Sequence, residues 1–425
     1  MKILIKNGNL ISMSENRNKQ EENIDILIED KKIIKIGKGI NETADQTIDA
    51  TGKIIMPGFI NTHAHISMSI FRETVDGYKT QDWLKEKIWP MEDQLQEEDI
   101  YWATLLSCIE MIKTGTTTVN DMYFMTDKII EATLKTGIRL QTTRTLMGYE
   151  EKDEQRLVEL EELIEKYKQD TISFNVGIHG LYTSNEPYVK KCIQFAKDQN
   201  LPVHMHFCEN SQEREDIKRE YCVQSPVEVI NRDFSETHNI LAHSVKLDSK
   251  DIKELKNTNS YISHCPISNL KLGCGVANIK EMLENDICVS LGTDGQGSGS
   301  NLDMFETMKF TALLQKGWNE EPEIIPAYEV LKMATINGAK ALGLEKEIGS
   351  IEEGKSADII MINLNEILTQ PINNVFAEIV YNAKGTNVEM TMVNGKVIMQ
   401  DRKIDGIEEN EIYYKCNEII KRIEK

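Results

Sequence analysis

The sequence has no cysteine pair with C-x-x-C spacing and no apolar run that approaches the length of a membrane-spanning helix. Its 8 cysteines are scattered along 425 residues, a chain too large to depend on disulfide bonds. The usual zinc-finger spacing is therefore excluded, and we expect a reducing compartment. Residues 1–8 are too polar for a signal peptide, so a cytoplasmic location is the expectation.

The chain has fewer basic than acidic residues. The chain carries 49 Lys and Arg against 69 Asp and Glu, which gives a net charge of −20. A surface this acidic repels phosphate backbones and anionic lipid headgroups, so we expect neither nucleic acid nor a membrane as a partner. With 40% hydrophobic and 28% charged residues, the composition is that of a globular protein with a sizeable core.

The first strand is not followed by G-x-G-x-x-G, which argues against a doubly wound dinucleotide-binding sheet. In the middle of the chain, strand-like runs alternate with amphipathic helical patterns, of which residues 157–167 are the clearest. Eight such strands separated by helices predict a (β/α)8 TIM-type barrel. The predicted strands end at or near His65, Asp121, Arg144, His179, Phe207, Ser244, Pro266 and Asp294.

The sequence patterns at both ends of the chain predict short β-strands joined by tight turns, for example at Asn394-Gly395. Neither set has enough strands to close a core by itself. We therefore predict that residues 1–56 and 355–425 meet in one small β-sandwich domain, and that residues 57–354 form the barrel.

The histidines follow the predicted strands. Seven of the 8 lie in or at the end of a strand, and only His238 falls outside. His63 and His65 share one strand face, which makes them half of a metal site. The carboxyl ends of barrel strands converge on one mouth, where catalytic residues lie. We predict four metal ligands at this mouth: His63, His65, His206 and Asp294.

Three imidazoles and one carboxylate suit zinc or iron(II) with one position open for water. Such an ion lowers the pKa of the water towards ~7. His243 and Asp294 are candidates to accept its proton, and Glu209 is a candidate acid/base carboxylate. His204 lies one layer deeper, so we expect a hydrogen-bonded core histidine there, and we leave His264 outside the site.

Several segments resemble motifs of the amidohydrolase superfamily, specifically of its aminohydrolases that act on cyclic amidines. They span nearly the whole chain in the family's order: residues 57–65, 206–209, 241–243, 263–266, 268–273, 291–294 and 349–358. Binuclear members carry a carboxylated lysine on the fourth strand, where this chain has His179. The resemblance therefore implies one divalent metal per subunit, and it is compatible with a homo-oligomer.

Within that branch the chain resembles the 5-methylthioadenosine/S-adenosylhomocysteine deaminase family. The likeness rests on the sequence contexts of Trp83, Glu92, Arg144, Arg156, His179 and Ser298. It implies that the tryptophan packs against the ligand, the glutamate binds the ribose hydroxyls and the arginines bind the homocysteine carboxylate. The histidine and the serine would hold the adenine edge.

The implied reaction is hydrolytic deamination at carbon 6 of adenine in a small-molecule nucleoside. Activated water adds to the ring carbon while Glu209 protonates the neighbouring ring nitrogen. His243 and Asp294 hold the water, and Asp294 passes its proton towards the departing ammonia. Glu209 and Asp294 would therefore contact the substrate as well.

Each predicted substrate contact has a simpler structural interpretation. Trp83 could serve helix packing, and Glu92 could be a helix-start carboxylate favoured by the dipole. Arg156 could be a solvated charge on the helix that follows. Arg144 ends a barrel strand, where an unpaired charge would be costly, so we expect it to bind a ligand or form an ion pair.

Two other functions stay open. The chain could be another cyclic-amidine aminohydrolase, such as a guanine deaminase or a triazine hydrolase, whose flat substrates carry no amino-acid carboxylate. A metal-free, non-catalytic scaffold is disfavoured because all four ligand positions, Glu209 and His243 are present. The zinc deaminases with P-C-x-x-C are excluded, since Cys265-Pro266 lacks that spacing.

Overall fold

The computed structural model describes residues 1–15, 17, 19–74, 76–149 and 151–423. The β-strands of these residues are β1 Lys2–Leu10, β2 Glu21–Glu29, β3 Lys32–Gly37, β4 Gln46–Asp49, β5 Ile54–Pro57, β6 Phe59–Ala64, β7 Thr116–Asp121, β8 Arg139–Thr142, β9 Ile172–Phe174, β10 Val176–Gly180, β11 Val203–Phe207, β12 Asn239–His243, β13 Ser260–His264, β14 Val289–Leu291, β15 Ile359–Ile362, β16 Val388–Val393 and β17 Lys396–Gln400.

The α-helices of the same residues are α1 Thr80–Trp83, α2 Trp89–Glu92, α3 Glu97–Lys113, α4 Thr126–Thr136, α5 Gln155–Lys166, α6 Glu186–Gln199, α7 Ser211–Glu220, α8 Pro226–Asp233, α9 Ser249–Leu255, α10 Pro266–Lys271, α11 Ile279–Glu284, α12 Gln296–Gly299, α13 Met304–Asn319, α14 Ala327–Met333, α15 Ile336–Ala341, α16 Val375–Tyr381 and α17 Glu409–Ile423. Within the described chain, none of these helices combines the length and the apolar character needed to cross a membrane.

The barrel is built from the parallel strands β6 to β14, which neighbour each other in chain order. β9 and β10 fill one barrel position, because the chain is interrupted only at Asn175, whose N–H still donates to the Thr142 carbonyl at 2.9 Å. β14 returns to β6, and beyond it the Asp294 N–H donates to the His63 carbonyl at 3.0 Å. The predicted TIM-type barrel is confirmed.

Strands from both chain ends form one eight-stranded sheet in the order β17-β16-β15-β5-β1-β2-β3, with β4 beside β1. The two ends join where β15 pairs antiparallel with β5, with Ile360 opposite Met56. Alternating isoleucines such as Ile3 and Ile5 are buried in this sheet's own apolar cluster. The separate sheet built from both termini is confirmed, while the domain boundaries at 56/57 and 354/355 stay a prediction.

The sheet is tied to the barrel by a buried ion pair. Arg139 at the start of β8 donates through Nε to Asp358 Oδ2 at 2.8 Å, and the two side chains are only 5% and 2% exposed. The last helix, α17, packs against barrel helix α3, where Lys113 and Glu409 form a salt bridge of 2.5 Å. Helix α17 therefore packs against the barrel.

Candidate active site

The mouth of the barrel opens into a cavity of about 640 Å³. Its wall contains nearly all of the residues predicted from the sequence: His65, Trp83, Glu92, Arg144, Arg156, His179, His206, Glu209, His243, Asp294 and Ser298. His63 is the exception, since it is fully buried. It nevertheless reaches the same place, because its Nε2 lies 3.3 Å from Asp294 Oδ1.

The predicted ligand atoms lie close together. Asp294 Oδ1 is 3.0 Å from His65 Nε2, which is itself 3.2 Å from His206 Nε2. A four-coordinate zinc with bonds of about 2.0–2.1 Å places neighbouring ligand atoms roughly 3.3 Å apart. His63 Nε2 is buried and makes no well-aligned hydrogen bond among the described residues. The donor set and its spacing therefore fit a divalent metal ion.

His243 belongs to the same cluster. Together with His63, His206 and Asp294 it forms a group whose ligand atoms all lie within 4.8 Å of one another. Its Nδ1 is 2.8 Å from Asn269 Oδ1. Because that amide oxygen can only accept, the imidazole carries its proton on Nδ1 and leaves Nε2 free to accept a proton from a bound water.

The Nδ1 atoms of His63, His65 and His206 also form hydrogen bonds. Nδ1 of His65 donates to the Met122 carbonyl at 2.7 Å, and Nδ1 of His206 donates to the His179 carbonyl at 2.6 Å. Such bonds orient the rings and direct each Nε2 at the metal position. His63 Nδ1 lies 2.8 Å from His204 Nε2, so His204 is a buried hydrogen-bonded histidine, as predicted.

The groups around Asp294 favour the ionised form of its carboxyl group. Burial opposes ionisation, but the adjacent imidazoles of His63 and His65 hold the pKa of the Asp294 carboxyl well below its usual range. Burial also opposes charge on His65, but the Asp294 carboxylate outweighs it and raises the His65 pKa to about 9. Burial lowers the pKa of His63 to about 3.

The second oxygen of Asp294 is held by two hydroxyls. Ser268 and Ser298 each donate to Oδ2 at 2.6 Å. Ser298, predicted to contact adenine, lines the cavity and also orients this carboxylate. Ser268 was not predicted as a site residue, although it follows the end of β13, a position where polar side chains reach the barrel mouth.

Glu209 lies in the cavity wall with only 5% of its surface exposed. Burial raises the pKa of its carboxyl, and the nearby His243 opposes this shift. Cys274 Sγ lies 3.6 Å from Glu209 Oε1, within reach of a weak thiol hydrogen bond. A buried carboxyl with a raised pKa can hold a proton near neutral pH and deliver it to a substrate.

One part of the cavity wall combines the aromatic ring of Trp83 with the carboxyl group of Glu92. Trp83 is 5% exposed, and Gly297 passes so close that a Cβ there would lie 3.0 Å from the indole Cζ2. Glu92 accepts a hydrogen bond from the Tyr123 hydroxyl at 2.5 Å, and burial raises the pKa of its carboxyl. Tyr123, missed in the sequence, follows the end of β7 by two residues.

Both predicted arginines line the cavity, and both have an acidic neighbour. Arg144 Nε donates to Glu159 Oε2 at 2.7 Å, which is the ion pair that its strand-end position predicted as one alternative. Arg156 Nη1 donates to Asp153 Oδ1 at 3.1 Å and also to the Met147 carbonyl. The guanidinium groups are therefore oriented before any ligand binds.

Strained backbone accompanies these side chains. Cys208, His243 and Asp294 have φ values of 50°, 71° and 62°. This left-handed region is costly for residues other than glycine, and such strain gathers at functional sites. All three residues sit at or just beyond the end of a barrel strand, where the chain turns to present its side chains to the cavity.

The chain is similar to proteins of known activity along its whole length. Residues 54–398 match the Amidohydrolase family. A 5-methylthioadenosine/S-adenosylhomocysteine deaminase of Caldanaerobacter subterraneus subsp. tengcongensis is 40% identical over 423 residues, which cover 97% of this chain and 96% of that protein. A 5'-deoxyadenosine deaminase of Methanocaldococcus jannaschii is 40% identical over 404 residues, with 93% and 95% covered.

Among solved structures, an adenosine deaminase from Xanthomonas campestris with bound zinc matches with a TM-score of 0.95 and 26% identity. The match covers 99% of this chain and 98% of that one. The similarity therefore extends through both the barrel and the sheet built from the chain ends.

Proposed function

The chain belongs to the amidohydrolase family, and we propose that it is a metal-dependent deaminase of 5'-substituted adenosines. The reaction replaces the 6-amino group of adenine by a carbonyl oxygen and releases ammonia. One observation carries the proposal: a single cavity brings the histidine and aspartate cluster together with buried Glu209 and with the wall formed by Trp83 and Glu92. The activities named for the two 40% identical relatives support it.

We propose that His63, His65, His206 and Asp294 hold one divalent ion, zinc or iron(II). Three separations between their ligand atoms, of 3.0, 3.2 and 3.3 Å, support this set. His243, whose ligand atom lies within 4.8 Å of those of His63, His206 and Asp294, is then placed beside the ion. When bound, the ion supplies a Lewis acid that lowers the pKa of a water towards ~7.

The protein's own groups then move the protons. Glu209, buried and with a raised pKa, donates a proton to the ring nitrogen next to carbon 6 as water oxygen bonds to that carbon. His243 accepts a hydrogen bond from the attacking water through Nε2. Asp294 takes one proton from this water and passes it to the amino group, and the carbon–nitrogen bond breaks with loss of ammonia. The remaining hydroxyl proton returns to Glu209 as the carbonyl forms, which restores the acid.

The remaining cavity residues select the nucleoside. In this proposal Trp83 packs against the ligand and Glu92 accepts hydrogen bonds from the ribose hydroxyls. His179 and Ser298 contact the adenine edge, next to the metal ligands. Arg144 and Arg156, the two arginines of the cavity wall, receive a carboxylate where the 5' substituent carries one.

The test is a turnover assay with metal-replete protein. We expect 5'-methylthioadenosine, S-adenosylhomocysteine or 5'-deoxyadenosine to release ammonia, with the ultraviolet shift from an adenine to a hypoxanthine chromophore. Glu209→Gln should lower kcat by about 10²- to 10⁴-fold, because a general acid contributes that much to the rate. Turnover of guanine or a triazine with none of these adenosines would contradict the proposed substrate class.

Metal removal provides a second test. Dialysis against a chelator should abolish turnover, and one equivalent of zinc or iron(II) per chain should restore it. Restoration that needs two equivalents would contradict a single metal. The cytoplasmic location and a homo-oligomeric assembly stay predictions, and light scattering of the purified protein measures the assembly.

A further inference from the structure

Glu213 is a buried acidic residue that the proposed reaction does not use. It lies in the first turn of α7, and only 1% of its surface is exposed. Burying a carboxylate is costly unless hydrogen bonds compensate, so the structure must supply partners for it. The partners are the backbone of the turn that carries Glu209.

The two oxygens of this carboxylate bind two consecutive amides. Oε1 accepts from the Cys208 N–H at 2.9 Å, and Oε2 accepts from the Glu209 N–H at 2.7 Å. One carboxyl group thus binds both N–H groups of the turn. On its other side the turn is held by the Lys246 N–H, which donates to the Cys208 carbonyl at 2.8 Å.

The conformation of this turn decides where the Glu209 side chain points. Side chains alternate along a strand. His204 and His206 of β11 both face the cluster of histidine side chains, since His204 contacts His63 and His206 contacts His65. If the strand continued, Glu209 would face the opposite side, away from the cavity. The left-handed backbone at Cys208, with φ 50°, breaks the alternation, and Glu209 enters the cavity wall.

We propose that Glu213 is a positioning residue for the reaction: its carboxylate clamps the amides of Cys208 and Glu209 and so holds the strained turn that directs Glu209 at the substrate. The clamp rests on the proposed role of Glu209 as the acid, and Glu213 itself touches no substrate. It also compensates for the left-handed backbone at Cys208, a conformation that is costly at a residue other than glycine.

Glu213→Gln is the most discriminating variant. Its amide keeps one oxygen for one N–H, but its NH2 group opposes the other N–H, so one half of the clamp is lost. We expect kcat with 5'-methylthioadenosine to fall about 10- to 100-fold, as for other residues that orient a catalytic group. KM should stay within about threefold, and the bound metal per chain should stay the same.

The matched control is Glu228→Gln. Glu228 occupies the corresponding first-turn position of the neighbouring helix α8, where its Oε1 accepts the Ser225 N–H at 3.1 Å. This variant should keep the kcat of the unmodified protein. Because the clamp acts through Glu209, adding Glu213→Gln to Glu209→Gln should cost no further activity.

Amide hydrogen exchange tests the clamp without any substrate. The N–H groups of Cys208 and Glu209 should exchange at least about tenfold faster in Glu213→Gln than in the unmodified protein or in Glu228→Gln. Unchanged exchange, an unchanged kcat, or a loss of activity that only follows lost metal would overturn the proposal. An unmodified protein inactive on every adenosine would contradict the proposed function instead, and the exchange rates would still decide the clamp.

Discussion

Ser268 donates a 2.6 Å hydrogen bond to Oδ2 of Asp294, the carboxylate oxygen that does not face the histidines. Both residues are buried, at 0% and 5% exposure. The other oxygen, Oδ1, lies 3.0 Å from His65 Nε2, so both oxygens of the carboxylate have a polar partner. The orientation of the one acidic residue in the proposed metal site therefore depends on a hydroxyl from helix α10.

Replacing Ser268 by Ala should lower kcat/KM for the preferred adenosine about 10-fold. Groups that orient a metal ligand typically contribute 10- to 100-fold, and Ser298 still holds the same oxygen in this variant. Steady-state kinetics measures the effect. Ser249→Ala is the control, because Ser249 also donates to a carboxylate, Glu281 at 2.8 Å, but on the surface. Equal activities of the two variants would argue against this orienting role.

Arg144→Ala should change substrate preference. We expect kcat/KM for S-adenosylhomocysteine to fall about 10- to 100-fold more than for 5'-methylthioadenosine. Only the former carries an amino-acid carboxylate, and a hydrogen bond to a charged group is worth about 1.5–3 kcal/mol. Parallel assays with both nucleosides measure the ratio.

Glu159, the acidic partner of Arg144, provides the control variant for the Arg144→Ala experiment. Glu159→Gln removes the negative charge beside Arg144 and keeps the guanidinium in place. It should leave the turnover of S-adenosylhomocysteine unchanged or raise it. Equal losses of both substrates in Arg144→Ala would point to a structural role for the arginine.

Asp303 should make stability depend on pH. It caps α13 through the Phe305 N–H at 2.8 Å, and burial raises its pKa to about 6. The folded state thus binds the proton more tightly than the unfolded chain, whose Asp pKa is about 3.9. Its stabilising contribution is complete below pH ~4 and is lost as the pH rises through ~6.

The Asp303→Asn variant tests this dependence, because Asn caps a helix about as well as Asp but does not titrate. Between pH 4 and 6.5, the Tm of the unmodified protein should fall by about 1–3 °C relative to that of the variant. Thermal scans at several pH values measure it. Exposed Asp198→Asn should give a curve parallel to that of the unmodified protein, and parallel curves for all three proteins would contradict the assignment.

The ion pair between barrel and sheet should be sensitive to losing one partner. Asp358→Ala leaves the Arg139 guanidinium buried without its carboxylate, which should lower the free energy of unfolding by about 3–5 kcal/mol. Denaturant melts measure it. Asp286→Ala is the control, since Asp286 forms a salt bridge with Lys256 on the surface, and it should cost no more than about 1 kcal/mol.

Most of the candidate site could be predicted because the relevant signal is local. An apolar run that ends in His63 and His65 marks a strand end, and period-two alternation places both imidazoles on one face. The barrel rule then brings the ends of distant strands to one mouth, so His206 and Asp294 could be grouped with them. The same reasoning located Glu209, although regular alternation alone would have turned it away from the cavity.

The sequence by itself determined which residues stand at the strand ends, because periodicity and turn residues are properties of neighbours along the chain. Only the tertiary structure decided their partners. The bonds from Ser268 to Asp294 and from Tyr123 to Glu92 span 26 and 31 residues, and no periodic pattern reports such contacts. The pairing of Arg144 with Glu159 likewise depends on how α5 packs over the barrel, because side-chain contacts between elements form only once those elements are packed together.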